Sequence, residues 1–140
     1  MLMEVRNTFG KPIHEIEYVE EMDIVEATWF SAASKKEIKQ ALSLSLMVHE
    51  QMHCSYRLDD ITKLAVQRAD VRTWLQKAWL PLACRAGIAY VAYIDDLSSF
   101  GEAAGEANHA GCIGSLVEVR FFTDRESGLN WLKSNQTAGL

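Results

Sequence analysis

Proline is scarce in this 140-residue chain, with two, and so is cysteine, with three. Cys54, Cys84 and Cys112 are widely spaced, odd in number, and form no C-x-x-C pair. That pattern excludes a zinc knuckle or a thioredoxin-type couple, and it fits reduced thiols serving as small apolar residues. Basic residues are outnumbered: 14 Lys and Arg stand against 19 Asp and Glu, a formal net charge of −5. Nucleic-acid and anionic-membrane surfaces need clustered cations, so this balance argues against both and leaves a protein partner or a cationic ligand. The first residues lack the apolar core of a signal peptide, and no run approaches the ~18–20 apolar residues of a membrane span. The expectation is a cytoplasmic protein without a membrane span.

What is present is a globular composition, 49% hydrophobic and 24% charged, with eight glycines. Disorder and low complexity are excluded. A chain of this length forms one domain and buries roughly 68–70% of the surface its unfolded form exposes, so its core needs no staples.

The stretch from Asp70 to Ile94 organises the chain. Apolar residues recur at Val71, Trp74, Leu75, Ala78 and Leu82, the spacing of a helix face packed on a flat layer. Pro81 predicts a kink, and Gly87 a left-handed stop. The run Ile88 to Ile94 is apolar on both faces, which predicts a strand covered on both sides.

Residues 1–12 read as an N-terminal extension ending in the breaker Gly10-Lys11-Pro12. Alternation over Ile13–Val19 and Ile24–Phe30, around a turn at Glu20-Glu21-Met22-Asp23, predicts an antiparallel hairpin. Ser34 with Glu37 forms a capping box for a helix reaching His53, with Ile38, Ala41, Leu42, Leu44, Val48 and Met52 on its buried face. Cys54 to Leu58 reads as a strand ended by Asp59-Asp60, and Ile61 to Ala69 as a loop. Ser99 with Glu102 predicts a weak helix over roughly 100–110, rich in alanine and glycine, followed by a mobile 111–114 segment. Leu116 to Phe122 is a strand, and Thr123 with Glu126 caps a final helix anchored by Leu129, Trp131 and Leu132. Residues 135–140 read as a frayed tail. The sum is an α/β domain over residues 13–134, ββαβαβαβα, with a mixed, mostly parallel five-stranded sheet and helices on its faces.

That order of elements resembles small bacterial STAS-like proteins. So do Trp74-Leu75-Gln76-Lys77-Ala78-Trp79-Leu80-Pro81 and the closing Val117-Glu118-Val119-Arg120-Phe121-Phe122-Thr123-Asp124-Arg125-Glu126 with Trp131-Leu132. The chain is similar to the anti-sigma-factor antagonists and, more distantly, to the lipid-binding half of CRAL-TRIO proteins. The resemblance implies a non-enzymatic module that binds a protein partner or a small apolar ligand. In the antagonists a phosphorylated serine follows the third strand; here that place holds Asp59-Asp60-Ile61-Thr62, without serine or glycine, so the phospho-switch does not carry over.

Three constellations bear on chemistry. His49-Glu50-Gln51-Met52-His53 spells H-E-x-x-H, which on a helix presents two imidazoles to one zinc ion with Glu50 as general base and Asp59 as a third ligand. This is the enzymatic alternative, a zinc-dependent hydrolase. In the competing reading the two histidines flank a helix C-terminus, where the dipole stabilises a partly charged imidazole. Asp59, Asp60, Asp95, Asp96 and Asp124 all fall at predicted strand ends, where a parallel sheet gathers its loops. Together they would hold Mg²⁺ or Ca²⁺; singly they are turn and cap residues. Among the aromatic residues Trp29, Trp74, Trp79, Trp131, Tyr90, Tyr93 and Phe100, Trp79 points away from the Trp74 face. With Phe100 in a 97–114 lid, it would line an apolar pocket or a dimer surface.

Overall fold

The computed structural model describes residues 2–30, 33–64, 75–95, 108–112 and 115–138. The chain opens with three antiparallel strands, β1 (Leu2–Arg6), β2 (Pro12–Val19) and β3 (Ile24–Trp29). Register sets His14 opposite Trp29 and Ile16 opposite Ala27, so these four side chains share one face. β1 corrects the reading of residues 1–12 as an extension. Only Met3 and Val5 of this strand are half-buried, and Glu4 and Arg6, which pair with each other, mask so short an alternation.

Helix α1 (Lys35–Met52) begins at the predicted box. Glu37 N donates to Ser34 Oγ at 3.2 Å, and Ser34 N donates to Glu37 Oε1 at 3.0 Å. Its buried stripe is Ile38, Ala41, Leu42, Ser45, Val48 and His49. Leu44 and Met52, expected on that stripe, are exposed and half-buried respectively, while two polar residues occupy the helical period instead.

Strand β4 (Tyr56–Asp60) starts two residues later than expected, so Asp59 and Asp60 lie within it. A π-helical turn (Leu75–Trp79) runs directly into α2 (Leu80–Arg85), and Pro81, which has no amide to donate, sits just past that junction. A π turn bonds i to i+5, so it carries an extra residue and shifts the apolar stripe. That is why Ala78 and Leu82, predicted inward, are exposed, while Trp79, Leu80, Ala83 and Cys84 are buried. Val71 and Trp74 lie outside the described residues. Gly87 has φ +97° and ends the helix as predicted, with Ile88 N donating to Ala83 O at 3.0 Å.

The remaining elements are β5 (Tyr90–Ile94), β6 (Asn108–Cys112), β7 (Ser115–Phe122) and α3 (Arg125–Ala138). The seven strands make one mixed sheet in the order β1-β2-β3-β4-β5-β7-β6, parallel from β3 through β4 and β5 to β7. The predicted five strands thus become seven. β6 corrects the C-terminal part of the expected 100–110 helix and takes in Gly111 and Cys112 of the segment beyond it. It survives two small residues because it pairs along its length with β7. Asp96, Phe100 and the Ser99–Glu102 box lie outside the described residues, as does the 97–107 part of the expected lid.

Helices α1 and α2 cover one face, packing Ile38, Leu42, Leu80 and Ala83 with Trp29, Val91, Tyr93 and Val119. Helix α3 covers the other, with Leu129 and Leu132 on Leu58, Ala92 and Ile94. The predicted Thr123–Glu126 box gives way to a neighbour: Ser127 N donates to Asp124 Oδ1 at 2.8 Å. The tail is also corrected, since α3 runs to Ala138 and Gln136 Nε2 donates to Met22 O at 2.8 Å. Among the described residues no helix is long and apolar enough to cross a membrane.

Candidate functional site

Under α1, the covered sheet face carries a row of polar side chains. Arg57 and Asp59 are two apart on β4 and therefore point the same way, while Leu58 between them faces α3. Register places Asp59 between Ala27 of β3 and Tyr93 of β5. Arg57 Nε donates to Asp59 Oδ2 at 3.1 Å, and Trp29 Nε1 donates to Asp59 Oδ1 at 2.7 Å. Both carboxylate oxygens therefore have a buried donor. The His14 ring stacks on Trp29 with centroids 3.6 Å apart. On the helix side, Arg57 Nη1 lies 3.4 Å from His49 Nε2, and the guanidinium sits 5.2 Å from the Trp79 ring centroid. Every one of these side chains is buried, and Arg57 is 0% exposed.

Burial sets the electrostatics. It pushes the Asp59 carboxyl above the usual carboxylate range, while Arg57 and the Trp29 N–H pull it back. Burial first, and the Arg57 charge second, hold His14 and His49 down at about 3, so both imidazoles are neutral. Tyr93 is raised by burial and then by Asp59. Burial likewise pushes the Cys54 thiol up to about 11.

A recess lined by Trp29, Ile38, Leu42, Asp59, Ile61, Leu64 and Tyr93 adjoins the row. Its free volume is about 10 Å³, close to the minimum for one water molecule. The buried Tyr93 hydroxyl has no partner among the described residues, which suits a polar occupant of that size.

The residues expected to hold zinc do not converge. His49 points into the core against Arg57, whereas Glu50 and His53 are exposed. His53 is the left-handed cap of α1, with φ 51°, and His49 Nδ1 lies 3.0 Å from Cys54 O. The motif is thus a helix end. The partly charged, dipole-stabilised imidazole does not describe His49 either, because burial keeps it neutral. Asp59 is bound to Arg57 and Trp29, and among the described residues no group of three or more His, Cys, Asp or Glu could hold a metal ion.

The acidic set disperses as well. Asp59 is sealed in the core; Asp60 accepts from Thr62 N at 3.0 Å and Thr62 Oγ1 at 2.7 Å in a local turn. Asp95 is buried just past β5, with its backbone N donating to Phe122 O at 2.9 Å. Asp124 caps α3. Trp79, expected at a pocket or dimer surface, is buried among core residues over Arg57. Trp131 is half-buried and meets the Tyr90 ring edge-on at 5.8 Å.

Sequence reasoning missed Arg57 and His14. Their signal was period two: His14 alternates with Ile16 on β2, and Arg57 with Asp59 on β4, each placing a polar side chain on a covered face. In comparisons with known proteins, the chain matches no family model, no curated protein and no solved structure.

Proposed function

We propose that this chain is a non-enzymatic binding module of the STAS-like type, and that it docks a protein partner through an anchor at Phe9. Antiparallel strands followed by parallel α/β units, with helices on both sheet faces, support this resemblance. The charged residues of the interlayer row are engaged with one another, which suits a structural role for that row.

The observation that carries the docking reading is the turn between β1 and β2. Asn7 Oδ1 accepts from Phe9 N at 2.9 Å and from Lys11 N at 3.0 Å. Gly10 N donates to Asn7 O at 3.0 Å, and Arg6 Nη1 donates to Gly10 O at 2.6 Å. Gly10 supplies the φ of +80° that the turn requires. A backbone this closely tied nonetheless holds Phe9 87% exposed. An aromatic side chain on a pre-ordered turn binds with little further loss of backbone freedom, and such anchors dominate interface energies. Arg6 is already paired with Glu4 and bound to Gly10 O, which leaves Lys11 as a flanking cation, so the complementary surface is an apolar pocket with a carboxylate beside it.

Quantitative affinity capture with wild-type protein, Phe9→Trp and Phe9→Ser tests this. A partner retained by the first two and lost with Phe9→Ser, at unchanged melting temperature, supports the reading. Identical capture by all three overturns it.

A further inference from the structure

Each histidine in the buried row has its hydrogen position fixed by a backbone carbonyl. His49 Nδ1 lies 3.0 Å from Cys54 O, and His14 Nδ1 lies 3.0 Å from Thr28 O. A carbonyl only accepts, so both neutral rings carry their hydrogen on Nδ1 and present a bare Nε2 lone pair. His49 offers that lone pair to Arg57 Nη1 at 3.4 Å. His14 Nε2 and Arg57 Nη2 are both buried without a partner among the described residues, an acceptor and a donor left over in one interlayer.

We propose that the His14–Arg57–His49 row is an acid-sensitive latch, in which a proton entering either imidazole opposes the closed packing of α1 on β4. A proton at His49 Nε2 turns an acceptor into a cation against the guanidinium it now faces. Its Nδ1 side has only the Cys54 carbonyl, and the Cys54 thiol nearby is protonated. A proton at His14 Nε2 enters the same buried layer, where its ring is already stacked on Trp29. From β4 the only buried anion is Asp59, whose two oxygens are already engaged by Arg57 and Trp29. From β5 the row meets the Tyr93 phenol, and beyond the strand's end Asp95. The buried guanidinium therefore has one bound carboxylate and no second one on β4 to balance an added charge.

The sign follows from where the protons bind. Both imidazoles titrate near their ordinary value of 6.5 in the unfolded chain and at about 3 in the fold. Between those limits the unfolded state holds more protons, so the row's contribution to stability is full above the upper limit and falls away progressively as pH falls. Asp59 has the opposite sign, since burial makes the closed state keep its proton longer.

The test is urea unfolding of the full chain between about pH 7 and about pH 4.5, for wild type, His14→Gln, His49→Gln and the double variant. Glutamine keeps a donor and an acceptor but cannot take the proton. The unfolding constant of the wild type should rise by up to about tenfold per pH unit for each histidine, each single variant losing one such step and the double variant both. Equal slopes in wild type and double variant overturn the proposal. Where a variant does not fold, nitrogen NMR of wild-type imidazoles decides. Two neutral Nδ1–H tautomers persisting in the folded protein below pH 6.5 support it, and an imidazolium in the folded protein there overturns it.

Discussion

Trp29 and Asp59 are joined across neighbouring parallel strands by a hydrogen bond of 2.7 Å from indole to carboxylate, and neither side chain reaches solvent. The bond fills one of the two oxygens of a buried acid. Trp29→Phe keeps an aromatic ring against His14 but removes the donor. A buried acceptor left without its partner costs about 1–3 kcal/mol, so Trp29→Phe should lower unfolding free energy by that amount. The shift of the urea midpoint at constant slope measures it.

Arg57 and Asp59 are coupled more tightly, because each is the other's charge partner at 3.1 Å with no solvent on either side. Removing one leaves an uncompensated buried charge, and Arg57→Met alone should destabilise by roughly 3–5 kcal/mol. Adding Asp59→Leu removes the stranded anion along with its partner. The double variant is expected to be more stable than Arg57→Met, and a full double-mutant cycle in denaturant reads the coupling directly.

Much of this fold was legible because local signals agreed with the tertiary outcome. The Ser34–Glu37 box, the turn before Ile24 and the stop at Gly87 are each decided by a few adjacent residues. The failures have physical causes. Periodicity assumes 3.6 residues per turn, and the π turn over Leu75–Trp79 breaks that assumption where Trp79 needed placing. β1 and β6 gain their stability from pairing partners, which no local pattern encodes. The buried row was hidden because polar residues read as surface: Ser45 and His49 occupy core positions of α1, and Arg57 a core position of β4. Ser45 is satisfied within its own helix, donating to Leu42 O at 2.8 Å, but His49 Nε2 and Arg57 meet across elements, where the partner is set by packing and register rather than by neighbours in sequence.

The thiols offer a simple check of the layering. Cys54 and Cys84 are both buried, and burial keeps the Cys54 thiol protonated up to about 11. Thiolate is the reactive form, so two of the three cysteines should resist an aromatic disulfide reagent in the native protein. At most one equivalent should react quickly, with all three released in denaturant. Fast native release of all three would mean that the helical layers open on the timescale of the assay.

Gly128 tests how closely α3 lies on the sheet. A Cβ built there stands 2.7 Å from Ile94 Cδ1 and 2.9 Å from Leu58 Cδ1, both tips of buried side chains. Alanine would gain up to about 1 kcal/mol of helix propensity, yet overpacking a filled interface costs about 1–3 kcal/mol. Both atoms are the far ends of flexible side chains and can rotate aside at modest cost, so Gly128→Ala should be destabilising by no more than about 1 kcal/mol. Ile94→Val removes the nearer tip and by itself costs about 0.5–1.5 kcal/mol. Because it vacates the space the new methyl enters, the two changes should not add. Thermal or urea unfolding of the double variant should show less destabilisation than the sum of the singles. Strict additivity would mean that helix and sheet accommodate the methyl by separating rather than by contact at Ile94.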